Sequence, residues 1–137
     1  MTAVFPSDEW LRSLKDYLNS NEEYAETAKN WEGELLFDIL PSGALEEPMK
    51  IFLDLWHGKC RDIYFVSEGQ EVKVAFTLRA PFNDFVRVLK GELDPMQAMM
   101  TRKLTVKGSM SYMLRNVPTV LCFVRCCQDV TDDVLGE

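Results

Sequence analysis

The chain lacks most of the residues on which common enzyme mechanisms depend. It has a single histidine, His57, so it cannot form a zinc motif that needs two histidines, and a Ser-His-Asp triad would have to use this residue. Its seven glycines are widely spaced, so neither a Gly-x-Gly dinucleotide loop nor a P-loop can form. We therefore predict that the protein is not an enzyme and has no catalytic residue, no cofactor and no metal site.

Basic residues are also scarce, and they form no extended run. The chain has 15 Lys and Arg against 22 Asp and Glu, which gives a net charge of −7 and a pI near 4.8. The whole deficit lies in residues 1–50, where eleven acids face four bases. Proteins bind nucleic acids chiefly through cations that neutralise phosphates, so this charge balance predicts no nucleic-acid partner.

Long hydrophobic segments and a disulfide framework are absent as well. The longest apolar run late in the chain, residues 120–124, is too short to cross a membrane, and the first ten residues do not resemble a signal peptide. Cys122, Cys126 and Cys127 fall in one helical segment, where adjacent thiols are badly placed to bridge each other. We expect these cysteines to be buried free thiols, and the features together predict a cytoplasmic protein.

The length and the ordinary globular composition predict a single domain over residues 1–137. Two helices are indicated first, one capped by Ser7 with an apolar stripe that includes Trp10, and one capped by Ser20 with apolar residues that include Tyr24. Alternation of apolar and polar residues then predicts four strands, at residues 35–39, 49–55, 60–66 and 72–78. We expect at least three of these strands to form a meander.

The second half of the chain returns mainly to helical spacing. Its predicted elements are helices over 82–89, 95–100, 109–117 and about 118–128, a fifth strand at 103–107 on a sheet edge, and a polar, frayed tail to residue 137. The order ααββββααβαα predicts an α+β, two-layer fold. In that fold a five-stranded, mostly antiparallel sheet carries the helices on one face.

Methionine is concentrated in one region. Five of the seven methionines lie between residues 96 and 113, on two short predicted helices that flank the fifth strand. Because methionine is flexible and polarisable, this cluster suits an adaptable pocket for an apolar ligand. The alternative is an irregular core filled by methionine, and composition alone favours that alternative.

Residues 82–113 resemble the sterol carrier protein 2 (SCP2) family. In that family a helix runs into a Gly-x-x-(Asn/Asp)-Pro turn, a short helix with an alanine, a Lys-Leu-x-(Ile/Val) strand and a helix that starts with Gly-(Asp/Ser/Asn)-Met. The residues that match this order are Gly91, Asp94, Pro95, Ala98, Lys103, Leu104, Val106, Gly108 and Met110. The upstream elements also fit the family's layout, so the chain resembles a stand-alone member. It departs at Thr101-Arg102, where members often have Gln-Gly.

The resemblance implies a sheet with a crossover and a hydrophobic tunnel that binds a sterol, fatty acid, fatty acyl-CoA, phospholipid or isoprenoid. Arg102 would meet a carboxylate or phosphate of the ligand, and the final helix, over residues 119–128, would be a detachable lid. With the helical stripes, the resemblance predicts twelve lipid-binding residues: Trp56, Phe82, Phe85, Leu89, Met96, Met99, Met100, Arg102, Met110, Met113, Leu114 and Leu121.

Two functions follow from these patterns. The first is binding and intracellular transfer of a lipid or fatty acyl ligand, with transient contact to a membrane surface. The second is a non-catalytic accessory subunit of a lipid or quinone biosynthesis complex, which would have a protein partner and a well-packed interior.

Overall fold

The computed structural model describes residues 3–137, and within that range six α-helices and seven β-strands follow one another. In chain order they are β1 (Ala3–Phe5), α1 (Asp8–Ser20), α2 (Glu22–Thr27), β2 (Glu32–Leu40), β3 (Met49–Trp56), β4 (Lys59–Phe65), β5 (Phe76–Pro81), α3 (Phe82–Leu89), α4 (Pro95–Met100), β6 (Thr105–Lys107), α5 (Met110–Arg115), α6 (Val117–Val130) and β7 (Thr131–Val134). Each predicted helix and each of the five predicted strands has a counterpart. Strands β1 and β7 are additional.

Five strands form the main sheet in the spatial order β4-β3-β2-β5-β6. Strands β2, β3 and β4 are consecutive and antiparallel, which confirms the predicted meander, and β6 is antiparallel to β5. Strand β5 pairs parallel with β2, with Leu35 opposite Phe76, so the chain crosses over from the edge strand β4 to the other side of β2. This is the predicted α+β fold with a mostly antiparallel, five-stranded sheet.

One face of the sheet supplies much of the core, because side chains alternate between the two faces of a strand. Leu35, Phe37 and Ile39 of β2 are buried beneath the helices, whereas Leu36 between them is half-buried. The opposite face carries paired charges: the Arg79 guanidinium donates to the Asp38 carboxylate at 2.8 Å across β5 and β2. The interior therefore lies between the helices and one face of the sheet.

The start of two elements differs from the prediction. Asn21 caps α2, because its side-chain oxygen accepts the Tyr24 N–H at 2.8 Å, while Ser20 is the last residue of α1. Strand β5 begins at Phe76, where its pairing with β2 begins, and not at residue 72. The alternating residues 72–75 belong instead to the connection that leads from the edge strand β4 to β5.

The predicted frayed tail is wrong. Residues Thr131–Val134 form β7, which pairs parallel with β1 at the other end of the chain. The helix before it, α6, buries Phe123, Cys126 and Val130 and packs against α1, α2 and α3. A helix that contributes this much to the core and is fixed at its end by β7 does not match the expected detachable lid.

Candidate functional site

An apolar cavity lies between the helices and the sheet. The sheet contributes side chains at alternating positions, among them Leu35 and Phe37 of β2 and Leu78 and Ala80 of β5. The remaining lining residues come from β1, β3, the helices and their connections: Phe5, Trp10, Tyr24, Trp31, Leu55, Asp84, Phe85, Val88, Leu89, Leu93, Pro95, Ala98, Met99, Leu104, Met113, Thr119, Val120, Phe123, Val124 and Cys127.

The free space in the cavity is modest. Its volume is about 80 Å³, against about 930 Å³ of empty space when the opening to solvent is included. One enclosed water needs roughly 10–15 Å³. The cavity therefore has room for several waters, but a long lipid chain would require lining side chains to move.

Charge is nearly absent from the cavity wall. Asp84 is the one charged residue in the lining, and its carboxylate lies 3.8 Å from the Arg87 guanidinium, outside the lining. The Thr119 hydroxyl is already used, because it donates to the Thr27 carbonyl at 3.0 Å. Burial raises the pKa of the Tyr24 hydroxyl well above its ordinary value, so Tyr24 stays neutral. The wall is suited to a neutral, apolar molecule.

Local capping positions the two methionines that reach the cavity. The Asp94 carboxylate accepts the Gln97 N–H at 2.9 Å, and Pro95 occupies the first turn, so α4 starts there and directs Met99 inward. Ser109 caps α5 in the same way, with its hydroxyl accepting the Tyr112 N–H at 3.2 Å. Helix α5 then buries Met113 against the cavity.

Four of the twelve predicted site residues line this cavity: Phe85, Leu89, Met99 and Met113. Phe85 and Leu89 are four positions apart on α3, so they share one face of the helix. The Phe85 ring lies against Phe37 of the sheet, with ring centroids 5.5 Å apart. The spacing of apolar residues in the sequence thus identified the parts of the cavity wall that come from α3 and from the two methionines.

Trp56 and Phe82 lie outside the lining. Trp56 is on the outer face of the sheet, where the Arg61 guanidinium sits 4.8 Å from the centre of its ring. Its neighbour Leu55 points inward and lines the cavity, because successive side chains of a strand face opposite ways. Phe82 is buried in the core, stacked on Phe5 with ring centroids 6.1 Å apart.

The other six predicted residues are also outside the lining. Met100, Met110 and Leu114 are exposed, with 84%, 41% and 58% of their surface accessible. Arg102 is exposed beyond the end of α4. Met96 and Leu121 are half-buried on faces of α4 and α6 that do not reach the cavity.

The sequence analysis missed two walls of the cavity. Trp10 and Tyr24 come from α1 and α2, and Val120 and Val124 come from α6. Trp10 and Tyr24 belong to apolar stripes that predicted the first two helices, and Leu35 belongs to the alternation that predicted β2. These signals identified buried faces, but they did not show which part of each face meets free space.

The four cysteines are buried free thiols, as was expected for the three in α6. Burial raises the pKa of Cys60 and of Cys126 from 9.0 to about 12, and it raises the pKa of Cys127 and of Cys122 as well. Thiols in that state are poor nucleophiles and poor metal ligands at neutral pH. Within residues 3–137, no group of three or more His, Cys, Asp or Glu side chains is arranged to hold a metal ion.

No helix in the described part of the chain is both long enough and apolar enough to cross a bilayer.

Two solved structures resemble this chain over most of its length. A crystal structure of sterol carrier protein 2 aligns with a TM-score of 0.81 and 28% identity, covering 90% of this chain and 97% of that one. A conserved hypothetical protein from Thermus thermophilus, suggested to be a sterol carrier protein, aligns with a TM-score of 0.82 and 26% identity, covering 96% of this chain and 93% of its own.

A more distant structure shares the fold. The ubiquinone synthesis protein UbiJ aligns with a TM-score of 0.54 and 11% identity over 87% of this chain and 88% of its own. Among curated proteins, none matches the chain. A sequence model of the SCP-2 sterol transfer family matches residues 14–120, well over half of the chain, and the protein therefore belongs to this family.

Proposed function

We propose that residues 1–137 form one lipid-binding domain that holds an apolar ligand in a hydrophobic tunnel and carries it within the cytoplasm, without catalysing a reaction. The observation that carries this proposal is the cavity wall, in which Asp84 is the one charged residue. Four free cysteines support the cytoplasmic location, because that compartment keeps thiols reduced. Membership of a sterol transfer family supports lipid binding in general.

The chemistry of the wall favours some ligands over others. A carboxylate or phosphate inside the cavity would find neither a cation nor a polar surface in the lining. Arg102, which was expected to meet such a group, lies outside the lining. A fatty acid, fatty acyl-CoA or phospholipid would therefore keep its charged head at the opening, whereas a sterol or an isoprenoid alcohol carries no charge and could enter.

Burial of hydrocarbon supplies the affinity. Each methylene removed from water contributes about 0.8 kcal/mol, so about ten of them contribute about 8 kcal/mol before ordering costs. Micromolar binding corresponds to about 8.2 kcal/mol. The flexible side chain of Met99 and its neighbours must move to make room for a chain of that length, which is the adaptability expected of methionine.

A second candidate function is that of an accessory subunit in lipid or quinone biosynthesis. The small free space of about 80 Å³ favours it, because such a subunit needs a packed interior and not a filled tunnel. The shared fold with UbiJ, a ubiquinone synthesis protein, is compatible with this role. Under this proposal the protein binds a protein partner and no lipid.

Native mass spectrometry of the protein purified from its own cells separates the two candidates. A released acyl chain, isoprenoid, phospholipid or sterol supports the carrier and identifies its ligand class. An apo mass together with failure to take up a fluorescent fatty alcohol supports the accessory subunit.

A pair of variants on α4 then tests the cavity itself. Met99→Glu places a charge in the lining and should abolish uptake of the fluorescent fatty alcohol. Met96→Glu is the matched control, since Met96 is half-buried on the same helix but does not reach the cavity. Equal losses in the two variants would contradict the assignment of the cavity as the binding site.

A further inference from the structure

Helices α4 and α5 expose large apolar side chains next to the cavity. Met100 is 84% accessible and Leu114 is 58% accessible, and Met110 at the start of α5 is 41% accessible. Each of the first two follows directly on a methionine that lines the cavity, Met99 on α4 and Met113 on α5. The two helices therefore bound the cavity with one side and present apolar groups to solvent with the other. We call the segment 100–115 that contains these groups the α4–α5 surface.

The charge of this surface is opposite to that of the whole protein. The protein carries −7, yet residues 95–128 contain five bases and no acid. Four of these bases, Arg102, Lys103, Lys107 and Arg115, are exposed on the α4–α5 surface. Within residues 3–137, none of the four has an acidic side chain within salt-bridge distance, so their charge is available to a ligand.

The acids that flank this surface in the sequence, and one acid from β2, are already engaged. Asp94 caps the far end of α4, and Asp129 accepts a hydrogen bond from the Tyr17 hydroxyl at 2.7 Å. Glu32 approaches α5, since its backbone N–H donates to the Tyr112 hydroxyl, but its carboxylate faces His57 at 2.6 Å. Among the described residues, none of these three carboxylates forms an ion pair with the four cations.

Arg102 is held in a backbone conformation that arginine seldom adopts. Its φ of +61° lies in the left-handed region, where glycine is free of strain and other residues are not. The side chain makes no hydrogen bond or ion pair among the described residues that would offset this strain. This conformation ends α4, because the Arg102 N–H donates to the Met99 carbonyl at 3.3 Å and the Leu104 N–H donates to the Ala98 carbonyl at 3.0 Å. The fold therefore uses the backbone of Arg102 and leaves its side chain exposed.

We propose that the α4–α5 surface docks on an anionic phospholipid bilayer, with Met100, Met110 and Leu114 inserted at the headgroup boundary and the four cations against lipid phosphates. The combination of exposed apolar groups and unpaired cations matches what such a boundary recognises. Because α4 and α5 also form part of the cavity wall, docking brings the cavity next to the lipid phase. The proposal rests on the proposed lipid carriage for its purpose, but docking itself can be measured without any ligand.

The test is sedimentation of the full chain with vesicles of phosphatidylcholine, with and without phosphatidylglycerol. We expect binding only when phosphatidylglycerol is present, and we expect it to weaken as salt is raised. Combining Arg102→Gly with Lys107→Gln should weaken binding by about fivefold for each cation removed. The matched control is Lys50→Gln with Lys59→Gln, which changes the net charge equally at exposed positions of β3 and β4, on the side of the sheet opposite to β6.

Arg102→Gly separates docking from folding. Since glycine relieves the left-handed strain at this position, the variant should melt at a higher temperature than the parent and still bind vesicles less well. Lys107→Gln alone provides a second variant, because Lys107 is an exposed residue of the edge strand β6. Met100→Ser should weaken vesicle binding. Leu135→Ser should not, because it removes an exposed apolar side chain that lies outside the α4–α5 surface.

Equal binding of the parent to both kinds of vesicle, or equal losses in the surface and control variants, would overturn the proposal. The proposal would also be overturned if the unmutated protein bound neither kind of vesicle, even if a protein partner were found to cover the surface. Uptake of a fluorescent fatty alcohol in the absence of vesicles is measured in parallel. Vesicle binding without uptake of the alcohol supports the docking surface and contradicts the lipid carrier. Uptake of the alcohol without vesicle binding supports the lipid carrier and contradicts the docking surface.

Discussion

The indole nitrogen of Trp10 donates a hydrogen bond to the side-chain oxygen of Thr131 at 2.9 Å, across 121 positions of the sequence. Trp10 is fully buried, lines the cavity and belongs to α1, whereas Thr131 begins β7. The same Thr131 hydroxyl donates to the carbonyl of Cys127 in the last turn of α6 at 2.7 Å. One side chain therefore joins the first helix, the last helix and the terminal strand beside the cavity.

Thr131→Val should destabilise the protein by about 1–3 kcal/mol. The substitution keeps the size of the side chain but leaves the Trp10 N–H and the Cys127 carbonyl without this partner, and an unpaired buried polar group carries a cost of that order. Urea unfolding measures the difference. Thr105→Val is the control, because Thr105 is exposed on β6 and should change stability by less than about 0.5 kcal/mol. Equal effects in the two variants would show that the hydroxyl of Thr131 contributes nothing particular.

Local patterns were sufficient to predict most of the main sheet and its helices, because each element has its own period. They could not predict the pairing of β1 with β7. The sequence Thr131–Val134 contains two acids and has no clear alternation, and its partner lies at the opposite end of the chain. In the other direction, Val72 and Val74 alternate as a strand does, yet they lie in a connection. Alternation of apolar and polar residues indicates that a segment is half-buried. Whether the segment forms a strand depends on whether another strand lies beside it to accept its backbone hydrogen bonds.

The cavity was predictable only in part, for a related reason. Periodicity identifies the buried face of an element, and the cavity occupies a fraction of the buried surface. Met99 and Met100 are adjacent, yet one lines the cavity and the other is exposed, because successive helical positions are separated by about 100°. The alternation of side chains along β3 would have predicted Leu55, and not Trp56, as the residue that lines the cavity. The contribution of Val120 and Val124 required knowledge of how α6 crosses the sheet.

A larger side chain on α6 should block ligand binding without unfolding the protein. Val120→Trp adds an indole to the lining of the cavity, where free space exists, and we expect uptake of a fluorescent fatty alcohol to weaken at least about tenfold, which corresponds to about 1.4 kcal/mol. Leu121→Trp is the matched control, since Leu121 is the next residue, is also half-buried and does not line the cavity. Uptake that weakens equally in both variants would mean that the ligand binds elsewhere.

The stability of the protein should fall at alkaline pH because of its buried thiols. Burial raises the pKa of Cys60 from 9.0 to about 12 in the folded state, while an unfolded chain ionises the same thiol near 9.0. The neutral thiol thus favours the folded state fully below about pH 9, and that stabilisation is lost as the pH rises towards about 12, at up to about 1.4 kcal/mol per pH unit for each such group.

Urea unfolding at several pH values measures this slope for the parent and for Cys60→Ala. The variant should start from a lower stability at neutral pH, because it loses buried volume, but its stability should fall less steeply in the alkaline window. Iodoacetamide should label the thiols of the native protein much more slowly than those of the unfolded protein. Fast labelling of all four thiols at neutral pH would contradict their burial.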